Sequence, residues 1–216
     1  NRWAFQNAGE LVPSAEILAA PEAAAEEPVR DMAGLLSQSV GLGERKPETI
    51  ADFLKRSDTD ALTVMKSGKI VGDWFAPHMG LSARHIVFSI SKSITAIVAG
   101  ILEGEGALDF EAPVTAYVHE AKGSAYGDAT VRHVLDMRSG VRFREDYLDP
   151  DAEVAVLAKW ISQAPLPGEA SPPGMYRYLV GLSGEAPHGQ RFLYRSAETE
   201  GLGWGWGEGK KRQEPR

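Results

Sequence analysis

The 216-residue chain contains no cysteine. Disulfides, thiolate nucleophiles and thiolate metal ligands are therefore excluded. It also lacks a surplus of positive charge: 23 Lys and Arg stand against 30 Asp and Glu, a formal net charge of −7. Nucleic-acid binders carry the opposite balance, so nucleic acid is not an expected partner. Long apolar runs are missing as well. The longest, Ile94 to Leu102, is far shorter than the roughly 20 residues that cross a bilayer. The beginning of the chain shows no basic segment followed by an apolar one, which leaves the compartment open. None of the five histidines (His78, His85, His119, His133, His188) has H-x-x-x-H or H-E-x-x-H spacing, which argues against zinc. The glycines between 201 and 209 fit neither G-x-G-x-x-G nor G-x-x-x-x-G-K-[ST], so a phosphate loop is not expected. No metal or organic cofactor is called for.

What is present suits a packed protein. Apolar residues make up 43% and charged residues 25%, enough for a core in one domain or one domain with an inserted lobe. The Ala/Glu/Pro-rich stretch between 12 and 29 reads as a loose arm, and residues 1–45 as an N-terminal extension. A short helix is expected over Glu48 to Lys55, with Ile50, Phe53 and Leu54 on one face. Ala61 to Met65 and Ile70 to Phe75, separated by Lys66-Ser67-Gly68-Lys69, read as a β-hairpin. Residues 46–105 form the expected sheet portion. Residues 106–193 read as a helical, loop-rich lobe, with helices after Thr130, over Val154 to Ile161 and over Met175 to Leu182. His133 is expected to be structural, and Trp3, Trp74 and Trp160 to be core or cleft anchors. Residues 194–216 end in alternating glycines, which suit neither helix nor strand, and then a basic tail.

The strongest helix signal covers Ser89 to Glu103. Ile90, Ile94, Ile97, Val98, Ile101 and Leu102 trace one wide stripe, which predicts a centrally buried helix. At its start stands Ser89-Ile90-Ser91-Lys92, an S-x-x-K. Serine is a poor nucleophile until a base takes its proton. Positions i and i+3 share a helix face, so Lys92 can reach Ser89 Oγ. An apolar setting disfavours an ammonium and makes a lysine a better base. The motif alone is weak, since about one S-x-x-K is expected by chance in a chain of this length. The plain alternative makes Ser89 a helix cap and Lys92 a solvated first-turn lysine.

A second motif shifts the balance. Phe192-Leu193-Tyr194-Arg195-Ser196-Ala197-Glu198-Thr199-Glu200-Gly201-Leu202-Gly203 follows at long range. With Arg84 to Ser89, Gly106 to Asp109, Ala112 to Val114 and Thr130 to Gly140, it resembles serine hydrolases of the β-lactamase and penicillin-binding-protein superfamily. The branch it is most similar to holds class C-type β-lactamases, S-x-x-K esterases and 6-aminohexanoate-dimer hydrolases. The resemblance covers about residues 45 to 204. It implies an α/β (α+β) fold with an antiparallel sheet flanked by helices and a helical lobe. It further implies that Ser89 is an acyl-accepting nucleophile, that Lys92 and Tyr194 relay its proton, and that Ser196 hydrogen-bonds the lysine and the substrate. Glu145-Asp146-Tyr147 resembles a loop lining the substrate cleft, so Tyr147 is expected to contact substrate. The implied partner is a small-molecule amide or ester.

The pattern breaks after Trp204. The family continues through a helix and further strands that carry a third motif, K-T-G or H-T-G. Here a Gly-rich and then basic stretch takes its place. A C-terminally truncated member, read in a shifted frame after Trp204, is the expectation. Such a chain would have an incomplete sheet with a bare edge open to self-association. Two rivals stand beside the hydrolase: a catalytically impaired remnant that binds ligands, and an interaction protein whose S-x-x-K is accidental.

Overall fold

The computed structural model describes residues 2–11, 14, 16, 30–41, 43, 46–162 and 174–203. Most of the Ala/Glu/Pro-rich arm, the loop expected between 165 and 173 and the tail from Trp204 onward lie outside the described residues. The chain forms two compact units, Asn1–Ile86 and Val87–Arg216.

The first unit opens with three short helices, α1 (Arg2–Gln6), α2 (Ala8–Leu11) and α3 (Ala33–Leu36). Two-residue strands β1 (Ser39–Val40) and β2 (Glu48–Thr49) pair antiparallel. Thr49 caps α4 (Ile50–Arg56), accepting the Asp52 N–H at 3.1 Å. The expected hairpin is present as β3 (Ala61–Lys66) and β4 (Lys69–Phe75), paired antiparallel with an irregularity at Val64/Met65. Ser67 (φ 50°) and Gly68 (φ 76°) make its turn in the left-handed region, which a Lys-Ser-Gly-Lys sequence can supply. Met32, Leu54 and Ala76 form this unit's small buried set. Trp3, expected as an anchor, is exposed.

The second unit is built on α5 (Ile90–Gly104). Pro113 and Thr130 then bridge antiparallel, as do Val141 and Gly184. Helices α6 (Val131–Leu135), α7 (Glu153–Ser162) and α8 (Gly174–Val180) match the expected positions. Residues 196–203 form a further helix, α9. The core runs through Leu108, Phe110, Val118, Val131, Val134, Val141, Phe143, Leu157, Leu179 and Leu202. Burying each such side chain contributes about 1.5–3 kcal/mol. Thr130 and His133 form a reciprocal capping box at α6, so His133 is structural.

Two expectations are corrected. The α5 stripe is not central: only Ala99 is fully buried, while Ile90, Ile94, Ile97 and Ile101 are exposed, Ile97 at 63%. The unit's core takes the narrow edge of the helix, Ala99 with half-buried Leu102, because small Ala99 permits close approach. The wide isoleucine face is left open. Gly201 and Gly203 do sit in a helix, since α9 is fixed by buried Ala197, Glu198 and Leu202, and this packing offsets the poor helix propensity of glycine.

Candidate active site

The turn into α5 sets Ser89. Phe88 adopts a left-handed backbone (φ 45°), a conformation a bulky residue keeps only when its surroundings enforce it. The chain then swings into the helix at Ser89 (φ −69°, ψ −4°). Ser89 stands at the capping position, yet its side chain makes no cap bond. The Ser91 hydroxyl takes up the Phe88 carbonyl instead, at 2.6 Å. Ser89 Oγ is thereby free to face other partners.

Those partners are the two expected from the motifs. Lys92 Nζ donates to Ser89 Oγ at 3.2 Å. Tyr194 Oη donates to the same oxygen at 2.7 Å, from 105 residues away in sequence. Lys92 Nζ also lies 5.6 Å from the centre of the Tyr194 ring. Two donors converging on one hydroxyl oxygen favour negative charge there, the setting of an alkoxide. The capping alternative for Ser89 does not describe this geometry. Lys92 is half-buried and Ser89 exposed, so the oxygen is reachable from solvent.

Tyr194 is carried on an extended stretch that leads into α9. The Leu193 N–H donates to the Met137 carbonyl at 3.0 Å, tying the stretch to the segment after α6. That segment passes through Gly140, where any side chain is forbidden: an added Cβ would lie 1.6 Å from the Ala186 carbonyl oxygen. The Gly140 carbonyl accepts the Glu185 and Ala186 N–H groups at 2.8 and 3.1 Å, so the 139–141 and 183–186 segments form one tight layer.

Ser196 and Tyr147 meet at a third residue. Glu145 accepts the Ser196 N–H at 3.1 Å and the Ser196 hydroxyl at 2.5 Å, and the Tyr147 hydroxyl at 2.7 Å. The Ser196 hydroxyl therefore bonds Glu145 rather than Lys92, which corrects the bond expected for it. A carboxylate satisfies both of the residue's donors, which one ammonium could not. Tyr147 is 69% exposed. Its hydroxyl is pushed upward in pKa, first by donating to Glu145 and then by partial burial. Sequence reading passed over Glu145 as a residue in its own right. Its one signal was its place two residues before Tyr147.

Beneath these groups lies a buried polar cluster that no motif announced. Ser139 donates to Glu198 at 2.6 Å, and Arg195 contacts Glu198 at 3.4 Å. Burial pushes the Glu198 carboxyl up to about 7, opposed by the Ser139 hydroxyl and the Arg195 charge. Among the described residues no group of His, Asp and Glu is placed to hold a metal ion, and no helix is long and apolar enough to cross a membrane.

A family model described as beta-lactamase matches residues 47–205. The chain belongs to the beta-lactamase family. A 6-aminohexanoate-dimer hydrolase from Paenarthrobacter ureafaciens is 34% identical over 207 residues, which cover 94% of this chain and 50% of that protein. A solved structure from Bacillus anthracis, provisionally named 6-aminohexanoate-dimer hydrolase, superposes with a TM-score of 0.81 at 23% identity. It covers 97% of this chain, which covers 55% of it. The fold is thus that of the beta-lactamase-like proteins, of the α/β class, and the chain spans about half the length of the relatives it matches. Both motifs, Ser89 to Lys92 and Tyr194 to Ser196, fall within the stretch matched to the beta-lactamase family.

Proposed function

We propose that this beta-lactamase-family chain is a serine hydrolase acting on linear amide or ester bonds through an acyl-enzyme on Ser89. The observation that carries the reading is the convergence of Lys92 Nζ and Tyr194 Oη on Ser89 Oγ. Ser89 Oγ attacks the substrate carbonyl, forming the Oγ–C bond. Its proton passes into the Lys92/Tyr194 pair. The Ser89 N–H, for which no hydrogen bond is seen among the described residues, would donate to the developing oxyanion. The C–N or C–O bond then breaks, and Tyr194 returns the proton to the departing amine or alcohol. Water repeats the sequence on the acyl group, with the same pair as base, and Ser89 is restored. Tyr147 and Ser196, held together by Glu145, would line the approach of the substrate. Linear amides are favoured over β-lactams by the similarity to the 6-aminohexanoate-dimer hydrolase.

A second reading, ligand binding with poor turnover, is favoured by the Ser196 hydroxyl, which bonds Glu145 rather than Lys92. Incubation with a fluorophosphonate probe and with a chromogenic short-chain ester tests both. Labelling and turnover that vanish in Ser89→Ala support the hydrolase. Labelling of Ser89 with negligible turnover supports the impaired form. Folded protein that takes no label refutes the acyl-enzyme.

A further inference from the structure

Arg195 separates the two polar residues of the second motif, yet it turns away from both. It is 1% exposed and Glu198 is 0%. Its Nη1 donates to the Leu193 carbonyl at 3.3 Å and contacts Glu198 Oε1 at 3.4 Å, and its Nη2 donates to Glu185 Oε1 at 3.2 Å. Glu198 Oε1 also accepts the Ser139 hydroxyl at 2.6 Å. Ser139 Oγ in turn accepts the Val141 N–H at 3.4 Å. The Glu198 N–H donates to the Arg195 carbonyl at 3.3 Å.

Such a cluster is an expensive way to fill a core. Apolar side chains of similar volume are often as stabilising as a buried ion pair, or more so. Directional bonds, however, hold backbone in one place as apolar packing does not. Here they fix the carbonyl immediately before Tyr194, the residue immediately after it, and the first turn of α9. The anchoring groups lie on the bridged 139–141 and 183–185 segments, the rigid layer built around Gly140. Tyr194 is the one motif residue that reaches Ser89 from another part of the chain, and its 2.7 Å bond tolerates little displacement.

We propose that Arg195, Glu198 and Ser139 form a buried positioning network that holds the Tyr194 hydroxyl on Ser89 Oγ, an inference that rests on the acyl-enzyme reading. None of the three touches Ser89. They act through the backbone on either side of Tyr194.

The test uses two substrates with one acyl group. A p-nitrophenyl ester releases a leaving group that needs no proton. An anilide must be protonated to depart, and so depends on Tyr194. Arg195→Lys keeps the charge and loses the planar fork. It is expected to lower kcat on the anilide by about a hundredfold, the scale of a 1 Å misplacement. The ester should fall far less, with KM for both unchanged. In a Tyr194→Phe background the same change should add no further leaving-group effect. Glu198→Gln, a milder change that keeps an oxygen for Ser139, should show the same asymmetry more weakly. Equal losses on both substrates, or a rise in KM at constant kcat, would overturn the proposal. Amide hydrogen exchange supplies a readout independent of turnover. Exchange at 193–196 should quicken in Arg195→Lys while α5 is unchanged, and unaltered exchange there refutes the network's role. A wild-type chain inert to both substrates would refute acyl transfer itself and leave hydrogen exchange to decide whether the network positions Tyr194.

Discussion

Ser89 and Lys92 sit three residues apart on a helix whose isoleucine face is open, whereas Tyr194 rides on an extended segment pinned to a buried guanidinium and carboxylate. The first arm needs only one turn of helix: i and i+3 adjacency brings Nζ to Oγ whatever the rest of the chain does. The second arm must be delivered across 105 residues, and only tertiary bonding can do that. The serine–lysine pair should therefore survive disturbance of the core, while the tyrosine contact should not.

The largest expected effect comes from breaking the local arm. Lys92→Met should reduce ester turnover by about a hundred- to ten-thousandfold, the usual weight of a proton-transfer group, with helical circular dichroism unchanged. A loss below about tenfold would mean that Tyr194 alone serves as base. The long-range arm is challenged most directly through its scaffold. Gly140→Ala drives a Cβ into the Ala186 carbonyl and should destabilise the second unit by about 3 kcal/mol, the upper range for overpacking. A lowered urea midpoint checks this. If the midpoint stays put, the 139–141 and 183–186 layer is more pliant than the close approach implies.

The buried carboxyl gives a smaller effect that depends on pH. Glu198 has a folded-state pKa near 7, above its unfolded value, so the folded state holds the extra proton. Stability should therefore fall as pH rises from about 4.5 toward 7, by on the order of 3 kcal/mol at most. Glu198→Gln should flatten that slope in urea titrations at successive pH values. A slope identical in wild type and variant would place the titration elsewhere. The smallest effect concerns a local device in the same unit. Thr130→Ala removes the cap of α6 and should cost about 1 kcal/mol, read as a small fall in Tm. Activity per folded molecule should stay unchanged, because α6 does not carry the reacting groups.

Much of this arrangement was legible in the residues. The hairpin followed from alternating β-formers around Ser67-Gly68, and α6 from a threonine before an apolar turn. The Ser89–Lys92 contact was readable from helix spacing, and Tyr194 was singled out by the family resemblance rather than by any local rule. Local rules failed where packing outweighed propensity. A stripe of six aliphatics predicted burial for α5, yet the core selected Ala99, since close approach depends on the smallest residue rather than the greasiest. Glycines 201 and 203 predicted irregular chain, yet Leu202 and Glu198 hold them in a helix. Glu145 was overlooked because a carboxylate in a polar loop carries no signal until its partners are seen. Arg195 drew no reading of its own, since nothing in a linear string tells which way a side chain points.

The order of residues by itself determined the family, through several motifs in sequence, and the pairing of Ser89 with Lys92, because that contact depends only on spacing within one helical turn. Tertiary structure alone decided that the phenol arrives at the serine, that Ser196 turns to Glu145, and that a charged cluster lies under the motif. Those outcomes depend on which distant backbone segments share a layer, and that is settled by burial and directional bonding summed over the whole unit.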